Sequence, residues 1–340
     1  MKIHINGMGL VGCFLALRFE AEGWEFTWSD PDPYGKNDNV PQAWKASTGC
    51  AYPSGDPTEF AAYERIRKLV QTYRQEDFHI RRNCEQALYA YLSKGIPHDG
   101  AKNKLLKRVD KLDRPFGNAD DLNQFNFLNY PSIHLNAQEF VPDIRRIFSD
   151  RFSENKPEKD RLIVNSSGFL ECVRSHVVWG WNVVAPVSYG KGDLYLGSTL
   201  GLFSKEFGDF DKPNRICFNL QTDRYSYHYI YPCPRTDLHY IGTSMIFQKR
   251  WKPLEVAPKV EKLFAKIYEV FGKGNIKIGK VVSGSQGWRP VSKFPPDYSI
   301  MVEENGRKLP TIQVLPQGAN GWRMHPVYCD AVVNAIKTFC

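Results

Sequence analysis

Residues 1–30 read MKIHINGMGLVGCFLALRFEAEGWEFTWSD, and the punctuation of this stretch decides the fold. Residues 2–6 read as a buried strand. Gly7, Gly9 and Gly12 follow it, residues 9–22 carry helical spacing, and WEFTWSD reads as a second strand that ends at Asp30. Each glycine has a physical task. Gly7 permits a tight turn, Gly9 lets the backbone approach a pyrophosphate, and Gly12 lets the helix pack closely on the strands. The helix N-terminus, with Leu10 and Val11 in its first turn, then faces the phosphates. Asp30 stands where an acid accepts hydrogen bonds from an adenosine ribose. The reading is a βαβ dinucleotide cradle; the alternative is a glycine-rich turn in an ordinary α/β sheet.

The chain of 340 residues is long enough for two structural units. Its apolar fraction of 42% and charged fraction of 24% are those of a folded soluble protein. No apolar run reaches about 18 residues, so no membrane span is expected. The opening residues lack a secretory h-region, which makes a cytoplasmic location the expectation. Eight scattered cysteines form no CxxC and no Cys/His pair at ligand spacing, so reduced thiols are expected, with no disulfide framework and no metal. Net charge is +8 and unevenly spread: residues 65–114 hold thirteen Lys or Arg against six Asp or Glu. Such a stretch can follow a nucleic-acid backbone or form a solvated helical face.

Residues 31–57 are rich in Gly, Pro, Asn and Asp and read as a long loop. Helical patterns are expected in DPTEFAAYERIRKLVQTYRQE, CEQALYAYLSKG and AQEFVPDIRRIFSDRF, while residues 97–131 hold little that predicts a core. DRLIVNSSG reads as a short strand. From 177 to 247 the sequence becomes strand-rich, including DLYLGST, YSYHYIYP and LHYIGTSMIF, and helices follow at EVAPKVEKLFAKIYEVFG and HPVYCDAVVNAIKTF. Nucleotide-type strands at both ends and in the middle imply two interleaved domains.

Four further segments carry a resemblance: KASTGCAYPSG, RLIVNSSG, YIYPCPRTDLHYIGTSMIFQ, and GWRPVSKFPPDYSIMV followed by QGANGW. In this order the chain resembles the D-amino-acid oxidase superfamily of flavoproteins, with glycine oxidase, sarcosine oxidase and the oxidase domain of a tRNA-uridine modifying enzyme. The resemblance covers nearly the whole chain and is thin from about 85 to 130. It implies an α/β architecture in which a Rossmann-like FAD-binding domain of the glutathione-reductase type is interleaved with a mixed β-sheet substrate domain. The corresponding boundaries are 1–60, 135–176 and 280–340 for the FAD domain, 61–134 for a helical, basic insertion, and 177–279 for the substrate domain.

On this resemblance Gly7, Gly9, Gly12 and Asp30 correspond to the FAD fingerprint. Ser47, Thr48 and Gly49 match the loop beside the flavin, Gly168 ends the mid-chain strand, and Gly318, Asn320, Gly321 and Trp322 form the turn near the flavin ring. Arg289 corresponds to the arginine that clamps a substrate carboxylate, a task suited to its fixed fork of donors, and it also borders the cofactor. Tyr229 corresponds to a tyrosine that closes over substrate, with Tyr231 beside it; the bland alternative for both is sheet packing. The turn QGANGWRMHP departs from the His-Gly pair of many relatives, so Trp322, Arg323 and His325 shape a different pocket there. For His325 a satisfied histidine at the start of the last helix is weighed against a base. No Cys or His matches a covalent flavin link, which implies noncovalent FAD.

The implied activity is oxidation of a C–N bond in an amino acid or N-substituted glycine, by hydride transfer to flavin and hydrolysis of the imine. A second reading keeps this chemistry on an amino-acid adduct of a nucleobase in DNA or tRNA, motivated by the basic stretch and by Trp44, Tyr52 and Trp322. A third is a flavin-binding module without turnover. Stereochemistry, electron acceptor and oligomeric state are left open.

Overall fold

A computed structural model describes residues 2–37, 42–52, 57–72, 84–94, 107–109, 125–154, 161–167, 174–189, 216–221, 227–233, 236–245, 257–271, 276–292, 300–304, 309–315 and 321–339. The chain begins as its first thirty residues dictate. Strand β1 (Ile3–Asn6) leads through the glycine turn into helix α1 (Leu10–Ala21), and β2 (Phe26–Ser29) returns parallel to β1, with Ile3 opposite Phe26. Later segments complete this sheet: β7 (Leu162–Asn165), β14 (Ile300–Glu303) and β15 (Thr311–Val314), in the order β14-β15-β7-β1-β2. All its pairings are parallel except the β14–β15 hairpin.

Three helices cover this sheet: α1, α3 (Ala137–Ile147) and the last helix, α5 (Gly321–Lys337). They meet through rings. Phe14 of α1 stacks on Phe140 of α3 at 4.8 Å and on His325 of α5 at 3.7 Å. Each aromatic buried there removes enough apolar area from water to contribute about 2–3 kcal/mol, so α5 is a structural part of a core that begins at residue 3.

A second, ten-stranded sheet takes β3 (Cys50–Ala51), β4 (Cys84–Lys94), β5 (Lys107–Val109), β6 (Phe125–Leu135), β8 (Arg174–Tyr189), β9 (Ile216–Gln221), β10 (Tyr227–Pro232), β11 (Leu238–Met245), β12 (Ile276–Ile278) and β13 (Ser283–Ser292). Its path runs β12-β8-β11-β10-β9-β4-β6-β3, with β13 added on β8 and β5 on β6; every pairing is antiparallel except β4 with β9. Helices α2 (Pro57–Thr72) and α4 (Ala257–Phe271) and two short 3₁₀ helices, Ala43–Ala46 and Ser149–Arg151, complete the described elements.

Three expectations are corrected. CEQALYAYLSK is strand β4 rather than a helix. Its Glu, Gln, Ala and Leu favour a helix locally, but pairing with β6 on one edge and β9 on the other overrides that preference. The segment 61–134 is therefore not a helical insertion: after α2 it supplies β4, β5 and most of β6 to the large sheet. Likewise β13, grouped by sequence with the dinucleotide-binding part, pairs along β8. The expected strand DLYLGST lies outside the described residues.

Candidate functional site

The glycine turn sorts its own residues. Gly7 has a left-handed φ of 94°, and a Cβ there would stand 2.5 Å from the Ser167 Cα. A Cβ on Gly12 would stand 2.2 Å from the Gly7 carbonyl oxygen, and Ser166 Oγ donates to that same oxygen at 2.6 Å. The protein's own packing therefore requires both. Gly9 is different: among the described residues its Cβ would meet only Trp44 Cδ1, at 3.9 Å. The absence of a side chain at Gly9 thus leaves room at the start of α1, where no side chain caps the helix. Gly321 opens α5 within 3.6 Å of the Val11 side chain, measured from its Cβ position. Two helix N-termini converge beside the turn, and both favour negative charge.

Asp30 sits against this turn, and its carboxylate is enclosed. Oδ2 accepts from the Met8 N–H at 2.9 Å and from Arg145 Nη2 at 2.8 Å; Oδ1 accepts from the Asp32 N–H at 2.9 Å and from Gln42 Nε2 at 3.0 Å. Burial is the largest influence and holds its carboxyl above the ordinary aspartate value, while Arg145 and the two backbone N–H groups pull the other way. Arg145, equally buried, also donates to the carbonyls of Met8 (2.8 Å), Asp32 (2.7 Å) and Pro33 (3.0 Å). It ties α3 to the glycine turn and to the segment after β2. Behind it a cavity of about 310 Å³ opens between Trp28, Pro33, Tyr34, Trp44, Pro142 and Phe152.

The Ser47–Thr48–Gly49 loop is fixed from the other side. Gly49 has φ 55°, and a Cβ there would collide with the Leu135 carbonyl oxygen at 2.0 Å. Gln138 of α3 donates to the Ser47 carbonyl at 2.8 Å and to that of Lys45 at 3.1 Å, while its own oxygen accepts from the Tyr240 hydroxyl at 2.9 Å. One amide thus joins the loop to the large sheet. Thr48 is buried beside it.

Tyr229 and Tyr231 lie two residues apart on β10 and share one face of the large sheet. Their rings stack at 4.8 Å, and with Tyr240, Cys217 and Cys233 they form a cluster against which Cys50 and Tyr52 pack. The expected loop and the expected tyrosines are therefore brought together. His134 Nε2 stands 2.9 Å from Cys217 Sγ under the same cluster. Burial pushes the Cys50 thiol up, but its hydrogen bond with Cys217 and the nearby His134 outweigh that and bring it down to about 6. Arg289 lies in β13 opposite Val178 of β8, and β13 packs on the short helix Ala43–Ala46 next to the loop.

Trp322 is a correction. Expected to shape the pocket and border the flavin, it is a core residue instead, 2% exposed, stacked with Phe14 and His325 and donating its indole N–H to the Ile133 carbonyl. A large ring at the first turn of α5 fills the gap between α1 and α3. His325 is a satisfied, buried histidine: its Nδ1–H donates to the Trp322 carbonyl at 2.6 Å, and burial lowers its pKa to about 3. Arg323 pairs with Glu59 at 2.7 Å and lies over Tyr52. Gly168, Gly318 and Asn320 lie outside the described residues, as does much of the basic stretch; within its described part Arg65 pairs with Asp330 and Arg67 with Glu64. Nothing among the described residues points to a nucleic-acid surface.

Sequence reasoning missed Arg145, Gln138 and Gln42. For Arg145 a signal existed. Ala137, Phe140, Val141 and Ile144 mark the apolar stripe of α3, and Arg145 continues it; a charge on a buried stripe requires partners. Among the described residues no helix is long and apolar enough to cross a membrane, and no cluster of His, Cys, Asp or Glu could hold a metal.

A parallel βαβ cradle facing a large, mainly antiparallel sheet is the FAD-dependent oxidoreductase fold. Solved structures with this fold resemble the chain over nearly its whole length. Glycine oxidase from Geobacillus kaustophilus superposes with a TM-score of 0.66 at 12% identity, over 99% of this chain and 95% of that one. Iminodiacetate oxidase from Chelativorans sp. BNC1 gives 0.58 at 14%, over 96% and 93%. The glycerol-3-phosphate dehydrogenase from Bacillus halodurans, complexed with FAD, gives 0.54 at 14%, over 99% of this chain and 65% of that one. No protein-family model matches, and no curated protein matches in sequence.

Proposed function

We propose that the chain is an oxidase that binds FAD noncovalently and oxidises a C–N bond in an amino acid or N-substituted glycine. The observation that carries this reading is Gly9: the fold requires glycine at positions 7 and 12, whereas at 9 the missing side chain clears space for a ligand at two converging helix N-termini. The fold shared with oxidases of glycine and iminodiacetate supports the substrate class.

When bound, FAD would supply the acceptor for the hydride that leaves the substrate α-carbon with its electron pair. The protein's own part is binding and orientation. The N–H groups of Leu10 and Val11 and the start of α5 favour the pyrophosphate. Ser47–Gly49, fixed by Gln138, forms the wall toward the sheet. The guanidinium of Arg289 holds the substrate carboxylate through two parallel donors, and Tyr229 covers it from β10, excluding water from the reacting carbon. The resulting imine is hydrolysed by water, so no protein acid or base is required. The test is anaerobic addition of glycine, sarcosine, iminodiacetate, a panel of D- and L-amino acids and a glycyl nucleobase adduct to the FAD-reconstituted protein. Bleaching of the flavin band by one amino-acid class is expected; protein that takes up no flavin, or flavin that no compound bleaches, refutes the proposal.

A further inference from the structure

Asp30 follows β2 at the position from which an acid in a dinucleotide fold reaches a ribose, yet four donors of the protein already fill its carboxylate. The segment just after it shows the opposite condition. Gln42 Nε2 lies 3.0 Å from Asp30 Oδ1 and 3.1 Å from the Asp32 carbonyl oxygen. Both are acceptors, so the amide nitrogen must face them and Oε1 must turn away. That oxygen is buried and, among the described residues, has no hydrogen-bond partner.

Trp44, two residues on and 8% exposed, is in the same state: its indole N–H is buried and finds no partner among the described residues. The position of the ring fixes where this donor faces. Its Cδ1 lies 3.9 Å from the Cβ position of Gly9, and its Cζ2 and Cη2 lie 3.2 Å from that of Gly35. Nε1 stands on the ring edge between these atoms, on the side of the ring toward the glycine turn and Gly35. Burying a polar group unpaired is costly, and here an acceptor and a donor in that state lie two residues apart beside an enclosed acid.

On the reading that the cofactor is FAD, we infer that Gln42 and Trp44 take over recognition of its ribose and pyrophosphate. The Gln42 carbonyl accepts from a sugar hydroxyl and the Trp44 indole N–H donates to a phosphate oxygen. Asp30 is a positioning residue, held with Arg145 behind the glycine turn: Met8 donates to Asp30 and accepts from Arg145, so the pair grips both ends of the peptide residue between Gly7 and Gly9.

The test titrates apoprotein with FAD by flavin fluorescence, with ADP, 2′,3′-dideoxy-ADP and FMN as competitors, and records the melting temperature of each apoprotein. Trp44→Phe keeps the ring and removes the N–H; FAD and ADP are expected to bind about tenfold more weakly and FMN unchanged. Wild type is expected to prefer ADP over the dideoxy form, Gln42→Met to lose that preference, and Asp30→Asn to keep it while its melting temperature falls by several degrees, about 5 °C or more. Unchanged FAD binding in Trp44→Phe overturns the inference. So does a preference lost in Asp30→Asn and kept in Gln42→Met. Wild-type protein that binds neither FAD nor ADP overturns the cofactor reading itself, a result distinct from normal wild-type binding with unaffected variants.

Discussion

The deepest consequence for stability lies at His325. Its ring packs against Phe14 at 3.7 Å and Trp322 at 4.9 Å, its Nδ1–H is committed to a carbonyl, and it is 5% exposed. Burial is the main reason its pKa falls from 6.5 to about 3; the hydrogen bond to Trp322 opposes this and Arg65 adds to it. The folded protein therefore keeps a neutral imidazole, whereas the unfolded chain takes up a proton below about pH 6.5. Stability rises with pH across the window from about 3 to 6.5 and is lost as pH falls through it. At about 1.4 kcal/mol per pH unit, moving from pH 7 to pH 5 removes about 2 kcal/mol through this residue alone. His325→Asn keeps a donor for the carbonyl and does not titrate. Urea unfolding of both proteins at pH 7, 6 and 5 is the assay. The variant starts less stable because two rings lose a stacking partner, and its acid loss is expected to be about 2 kcal/mol smaller than that of wild type. Equal losses would refute the reasoning.

Gly9→Ala is expected to leave apoprotein stability within about 1 kcal/mol and to weaken FAD binding tenfold or more, whereas Gly12→Ala, forced onto the Gly7 carbonyl, destabilises the fold by about 1–3 kcal/mol or more; urea midpoints and flavin titration separate the two. Arg289→Lys is expected to lower kcat/KM for carboxylate substrates about 100-fold while sparing amines without a carboxylate, as steady-state oxygen uptake would show. Cys50, partly exposed and lowered to about 6, should be alkylated by iodoacetamide at pH 7 before Cys13 and Cys329, which burial pushes up to about 12; peptide mass spectrometry gives the order.

The cradle was legible in the first thirty residues because glycine spacing, strand and helix period, and Asp30 all agree locally. The large sheet was legible only where its strands alternate, as in YSYHYIYP. It failed at CEQALYAYLSK, whose composition favours a helix and whose fate is decided by two neighbouring strands remote in sequence. In the site, the glycines follow from local pattern and the tyrosine pair was singled out by the resemblance, whereas the inward turn of Asp30 depends on Arg145, 115 positions away. Trp322 misled because a turn expected near a ligand says nothing about the gap in the core behind it.

The order in which the strands of the small sheet appear also sets how the protein can be made. Ile3 pairs with Leu162, and Ile163 pairs with Thr311. A ribosome therefore releases β1 and β2 long before their neighbours exist, and the sheet stays open on one edge until β15 emerges. The rings that close over Phe14 come later still, from residues 322 and 325. Such distant pairings fold slowly and leave apolar strand edges exposed during synthesis. Nascent chains ending before residue 311 should therefore be held by chaperones or degraded rather than accumulate as a folded N-terminal fragment.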